Sequence, residues 1–251
     1  MTITDAQSGH PAAPSGRAGD FHVLLPVKTL AQAKRRLEPA LGALRAELMR
    51  AMLADVLGAL GDVSRLAGTL VVSADPEVAA MAAAQGARVL READSQGLNR
   101  AVASGFAALR RDGASRIAVV HADLPLLTGA ELDRVLQTMD GPRGAAGRGS
   151  IGLCAARDGR GTNLMCLDRV ADFDFRYGHN SFHLHRELAL AAGYRPVTLT
   201  SQLIALDIDL PADIDSYLAV CARLPAYRES HTWRFLEAHG IGVPGDRAGQ
   251  G

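Results

Sequence analysis

Apolar residues follow two rhythms along this chain, and their alternation sets the fold class. FHVLLPVK, from Phe21, is a short apolar run closed by a Pro and a Lys, as in a strand buried on both faces of a sheet. From Thr29 to about Leu60 the apolar positions return every three or four residues, and Pro39 divides that stretch into two helical pieces. GTLVVSAD is a second strand. PEVAAMAAAQG follows as a helix, with Pro76 in its first turn and Gly86 past its end. ARVLREAD is a third strand, and SQGLNRAVASGFAALRRDG is a helix that ends on basic residues and a Gly. RIAVVHADLP is the most strand-like segment of all. Thr128 to Met139 is a helix, with Thr128 and Glu131 spaced as a capping box.

Farther on, SIGLCAARDGRGTNLMCL reads as two strands joined by the turn DGRG. AGYRPVTLTSQLIALDIDLPADIDSYLAV adds strands, IALDIDLP among them, and a helix capped near Asp213. The alternation predicts an α/β fold: one domain with a mostly parallel twisted sheet, right-handed crossovers and flanking helices. In such sheets ligands gather beyond the carboxyl ends of the strands, so the loops after Val27, Val120 and Leu206 are expected to converge. The domain is expected over 21–225. Residues 1–20 read as a disordered tail, Gly141 to Gly149 as a flexible connection, and 226–251 as a short helix with a flexible end.

Composition narrows the functional classes. A chain of 251 residues, 48% apolar, buries a real core. Lys plus Arg and Asp plus Glu both number 27, so no global positive field draws the chain to nucleic acid or anionic lipid. Any anion site must be local. The cysteines, Cys154, Cys166 and Cys221, include no CxxC pair, and the chain has neither a secretory h-region nor an 18-residue apolar run. A cytoplasmic setting without a membrane span is the expectation, as a monomer or homodimer. Neither a GxSxG elbow nor a Walker loop is present, against a hydrolase or a P-loop enzyme.

Chemistry is concentrated where strands end. Lys28 closes the first strand, with Lys34, Arg35 and Arg36 soon after it. Clustered cations suit a triphosphate, whose charge must be offset before a second anion approaches. For Arg35 and Arg36 a solvated basic helix start explains the pattern equally well. Asp123 follows an apolar strand directly, and a carboxylate there is costly unless it meets a cation. Asp207 and Asp209, two apart in an extended segment, share a face and repel unless a divalent cation lies between them. With Asp123 they could form a magnesium site. Gly161, Thr162, Gly178 and Ser181 offer hydroxyls and open backbone to a phosphate, and Ser181 also fits a helix N-cap. His179, His183 and His185 are a weaker, zinc-like alternative.

LLPVKTLAQAKRRL, QGLNRAV, HADLP, GTNL, YGHNSF and LDIDLPADI, in that order from Phe21 to Leu218, resemble the guanylyltransferases of deazaflavin coenzyme (F-420) biosynthesis. The resemblance implies a nucleotide-diphospho-sugar transferase (glycosyltransferase-A-like) fold and transfer of GMP from GTP to a small phosphorylated carboxylic acid. Phosphoenolpyruvate, 3-phospho-D-glycerate and 2-phospho-L-lactate are the implied acceptors, and a downstream deazaflavin transferase the implied partner. Carried over by position, Asp123, Asp207 and Asp209 hold Mg2+, with Lys28 opposite them on the bound phosphates. Asp123 and Lys28 carry the catalysis. Lys28, Lys34, Gly97 and Asn99 lie along the nucleotide, and Thr162, Gly178 and Ser181 cradle the acceptor. His121, where a Pro or small residue is usual, and Gln96, where a Gly is common, depart from the pattern. The first loop lacks the glycine-rich Arg/Lys loop of the molybdopterin and sugar-phosphate relatives. Those relatives, and a non-catalytic nucleotide-binding protein, are the alternatives.

Overall fold

The computed structural model describes residues 20–93, 97–141, 148–169 and 172–242. The tail before residue 20, Gln96, the centre of the connection at 142–147 and the chain from 243 onward lie outside the described residues. Seven strands build one sheet in the order β3-β2-β1-β4-β6-β5-β7. They are β1 (Phe21–Pro26), β2 (Leu66–Ser73), β3 (Arg88–Arg91), β4 (Arg116–Val120), β5 (Ser150–Ala155), β6 (Thr162–Asp168) and β7 (Arg195–Thr198). Neighbours run parallel except where β6 meets β4 and β5, so a single strand is reversed. Val23, Leu24 and Leu25 of β1 and Ile117 to Val120 of β4 are fully buried, as central strands covered on both faces require. Arginines at Arg88, Arg91 and Arg195 mark the edge strands β3 and β7.

The helices are α1 (Glu38–Leu41), α2 (Leu44–Gly61), α3 (Pro76–Ala84), α4 (Leu98–Arg111), α5 (Gly129–Gln137), α6 (Ser181–Ala191), α7 (Gln202–Ala205), α8 (Pro211–Arg223) and α9 (His231–Ala238). They divide the core in two. On one face Val23, Leu25, Ala118, Val120 and Cys166 pack with Met52 and Val56 of α2, Leu132 of α5, Tyr217 of α8 and Trp233 of α9. On the other, Leu24, Val72, Val119 and Met165 meet Val102, Phe106 and Leu109 of α4 and Ala189 of α6. Gly105 lets α4 lie directly on the sheet, since a Cβ there would fall 2.3 Å from Leu24 Cδ1. Asp55 of α2 accepts from the backbone N–H of His231 and Thr232, which fixes the start of α9.

Three local expectations change. Pro39 sits in the first turn of α1, where a missing N–H costs nothing, and the break falls instead at Gly42, with φ 53°. Before it, Leu30–Gln32 and Arg35–Leu37 are separate 3-10 turns joined at Lys34, whose backbone is left-handed at φ 53°, ψ 38°. IALDIDLP forms no strand: Leu206 to Asp209 is extended, and Ile208 N–H bonds Asp123 O at 3.3 Å instead of a sheet neighbour. At α5 the hydroxyl half of the capping box forms, Thr128 Oγ1 accepting from Glu131 N–H at 3.2 Å, while the Glu131 carboxylate turns to Arg134.

Candidate active site

Beyond the carboxyl ends of β1 and β4 the chain opens a cleft of about 750 Å³. Asp123 sits three residues past β4. Leu206 and Ile208 turn into the core, which aims Asp207 and Asp209 the other way, toward the cleft. One ligand atom from each of Asp123, Asp207 and Asp209 lies within 4.8 Å of the other two, and among the described residues this is the one such group. Lys34 reaches the same point, its Nζ 2.5 Å from Asp123 Oδ2 and 2.6 Å from Asp209 Oδ1, with the side chain 4% exposed. A left-handed lysine stores strain of about 1–3 kcal/mol, which this buried pairing offsets. Arg45 Nη1 holds the turn from below, donating to Ala33 O at 2.6 Å.

The charges are unequal in their comfort. Burial alone would depress the Lys34 ammonium, but Asp123 and Asp209 outweigh it, and the net shift is upward. Burial likewise opposes ionisation of Asp123, yet Lys34 and then His121 prevail and hold its carboxyl below the usual range. Asp207 is the strained member: burial, then the charge of Asp123, push it up to about 6. Asn163 limits that rise, its Nδ2 3.1 Å from Asp207 Oδ1 and 3.0 Å from Ile204 O. Asp123 Oδ1 is buried and makes no hydrogen bond among the described residues. Three carboxylates, one ammonium and an orphaned hard oxygen fit a divalent cation of the magnesium type.

The opposite wall is neutral at its deepest point. Thr162 begins β6, and because β6 is reversed its first residues stand beside the loop that follows β4. A bulge at the start of β6 sets Cys154 opposite Leu164 but Ala155 opposite Thr162, leaving Asn163 as the extra residue. Thr162 therefore turns to Ser181 and His185 of α6, while its neighbour Asn163 turns to Asp207. Ser181 is the first residue of α6 and not its N-cap, which is Asn180. Gly178, with φ 139° and open space where a Cβ would stand, lines the cleft beside them.

Of the other residues singled out in the sequence, Lys28 is exposed and lines both the main cleft and a smaller one of about 440 Å³ with Arg35, Arg45 and Gly97. The lysine that meets the aspartates is Lys34, because the left-handed turn throws it inward. The Asn99 amide donates to Tyr177 O at 3.0 Å and accepts from Tyr177 N–H at 2.6 Å, clasping α4 to the loop before α6. The histidines do not assemble. His179 and His183 are exposed, whereas His185 is buried between Thr162 and the Arg176 backbone. Asn163 escaped the sequence reading, and His185 entered it only as part of the zinc-like alternative; the one available signal was a polar residue at an apolar-spaced position, which obliges a buried partner.

Comparison with known proteins agrees with this geometry. The family model "Guanylyl transferase CofC like" matches residues 21–243. The chain is 35% identical over 219 residues to a phosphoenolpyruvate guanylyltransferase of Thermomonospora curvata, covering 82% of this chain and 91% of that one. It is 32% identical over 195 residues to a 2-phospho-L-lactate guanylyltransferase of Methanothermobacter thermautotrophicus, covering 76% and 81%. In fold it is similar to a nucleotide-diphospho-sugar transferase-like protein from Desulfovibrio desulfuricans, with TM-score 0.69, 17% identity and coverage of 88% and 95%. A cytidylyltransferase from Leptospira borgpetersenii gives TM-score 0.54 at 11% identity, over 92% and 99% of the two chains. The chain is a nucleotidyltransferase, and it belongs to the CofC-like guanylyl transferase family.

Proposed function

We propose that this enzyme transfers GMP from GTP to the phosphate of a small phosphorylated carboxylic acid. The observation that carries the reading is the meeting of three aspartates and Lys34 in one cleft with a neutral, hydroxyl-lined wall, in a chain of this family. A phosphate oxygen of the acceptor attacks the α-phosphorus of GTP, the new O–P bond forms as the bond to the β-phosphate oxygen breaks, and pyrophosphate leaves. The attacking phosphate is already ionised near neutral pH, so no general base is needed. The obstacle is repulsion between two anions. Lys34, Lys28 and Arg35 offset charge along the triphosphate, and Thr162, Gly178 and Ser181 hold the acceptor in line. Asp123, Asp207 and Asp209 would hold Mg2+, which when bound supplies the remaining positive charge.

Among the described residues no helix is long and apolar enough to cross a membrane, and all three cysteines are free. We propose a cytoplasmic setting and, from the family, transfer of the diphosphate-linked product to a deazaflavin transferase. The test is pyrophosphate release with GTP, Mg2+ and, in turn, phosphoenolpyruvate, 2-phospho-L-lactate and 3-phospho-D-glycerate, with mass spectrometry of the conjugate. Release with one of these acids supports the reading. Release only with a sugar phosphate or molybdopterin moves the chain to a sibling activity, and tight GTP binding without turnover makes it a binding protein.

A further inference from the structure

His185 is buried completely, lies outside the ring of acids, and takes no part in the reaction as described. Its two ring nitrogens nevertheless have defined partners. The backbone N–H of Arg176 donates to Nε2 at 2.9 Å, so Nε2 must carry a lone pair. In the neutral ring the proton then sits on Nδ1, 3.1 Å from Thr162 Oγ1, and is donated to that oxygen. Burial keeps the ring neutral, pushing its pKa down to about 4. Ser181 Oγ also donates to Thr162 Oγ1, at 3.2 Å.

A threonine hydroxyl has two acceptor sites and one proton. Both acceptor sites of Thr162 are filled from α6, so its own proton has to be given away. Thr162 lines the cleft. We infer that His185 is a positioning residue, which fixes the Thr162 hydroxyl as a donor toward an anionic oxygen of the acceptor. The inference rests on the proposed acceptor pocket and deepens it. A neutral donor locked in one direction recognises a carboxylate or phosphate oxygen and disfavours a group that can only donate, because Thr162 has no spare lone pair to offer.

The two ring nitrogens are separable by substitution. The amide of Asn reaches the place of Nδ1, and that of Gln the place of Nε2. His185→Asn keeps a donor for Thr162 and loses the acceptor for Arg176; His185→Gln does the reverse. Steady-state kinetics are measured with saturating Mg2+ and whichever of phosphoenolpyruvate or 2-phospho-L-lactate the unaltered enzyme turns over. The Asn variant should keep its acceptor KM within about threefold, and the Gln variant should raise it on the order of tenfold, with kcat and the KM for GTP unchanged in both. Thr162→Val should raise the acceptor KM equally, and adding His185→Gln to it should change nothing further. Equal behaviour of the Asn and Gln variants, with Thr162→Val still impaired, overturns the role of His185 alone. An unimpaired Thr162→Val removes the acceptor pocket itself. Long-range 15N–1H spectra of the unaltered enzyme need no variant to fold: they should show His185 protonated at Nδ1, with that signal moving on addition of the acceptor. A proton on Nε2 overturns the inference.

Discussion

The two walls of the cleft are built by different means. The wall at 28–36, with the aspartates, is built from irregular turns, a left-handed lysine and mutually opposed charges. The wall formed by the start of β6 and α6 is built from regular elements, and its deepest groups, Thr162, Ser181 and His185, are neutral and hydrogen-bonded to one another. In the proposed reaction the first wall binds a highly charged triphosphate and its cation, which calls for charge even at a cost in stability. In the same proposal the second tells apart acids that differ by a few atoms, which calls for fixed direction. On that reading charge supplies strength, and the neutral network supplies selectivity.

The largest test removes the charged floor. Asp123→Ala, or Asp207→Ala together with Asp209→Ala, should lower turnover at least about a thousandfold while circular dichroism stays native. Near-normal pyrophosphate release in either variant would end the assignment of these residues to a cation. Next, Lys34→Met leaves Asp123 buried without its partner; thermal unfolding in EDTA should show a loss of about 3–5 kcal/mol, partly restored by Mg2+, and kcat/KM should fall about a hundredfold.

The walls should also answer to pH with opposite signs in the metal-free protein. Asp207, raised to about 6 from 3.8, binds more protons folded than unfolded between those values, so its contribution to stability falls as pH rises from about 4 to 6. His185, lowered to about 4 from 6.5, binds fewer protons folded, so its contribution grows from about pH 4 to 6.5. Relative to the unaltered chain, Asp207→Asn should gain stability with rising pH and His185→Asn should lose it, each by on the order of 2–3 kcal/mol in melting curves from pH 4 to 8. Parallel slopes would erase the contrast between the walls. The smallest effect belongs to Lys28→Ala: exposed at the rim, it should raise the KM for GTP about tenfold and leave the melting temperature unchanged.

Much of the fold was legible because buried parallel strands announce themselves. The runs at Phe21, Leu66 and Arg116 are mostly apolar, and the loops that follow β1 and β4 meet as the sheet topology demands. The aspartates were visible for the same reason, a carboxylate at the end of an apolar run being conspicuous. Lys34 was harder. Its left-handed backbone is unfavourable locally and is sustained by partners 89 and 175 residues away, which no local periodicity encodes. Leu206 to Asp209 misled in the other direction, since an extended segment with one face on the core alternates like a strand without pairing as one. Asn163 and His185 become informative only once burial is known, because what marks them is the need to be satisfied.

The bulge that opens β6 has a further consequence. Farther along that strand Leu164 and Cys166 face one core layer while Met165 and Leu167 face the other, and on that parity Thr162 and Asn163 would each point the wrong way. One surplus residue thus reverses the parity at the start of the strand, so that the Thr162 hydroxyl meets α6 and the Asn163 amide meets Asp207. Deleting Asn163 would leave the Thr162 hydroxyl on its present face and take the amide away from Asp207. The inner end of the hairpin joining β5 to β6 thus has a length set by the need for an amide beside Asp207.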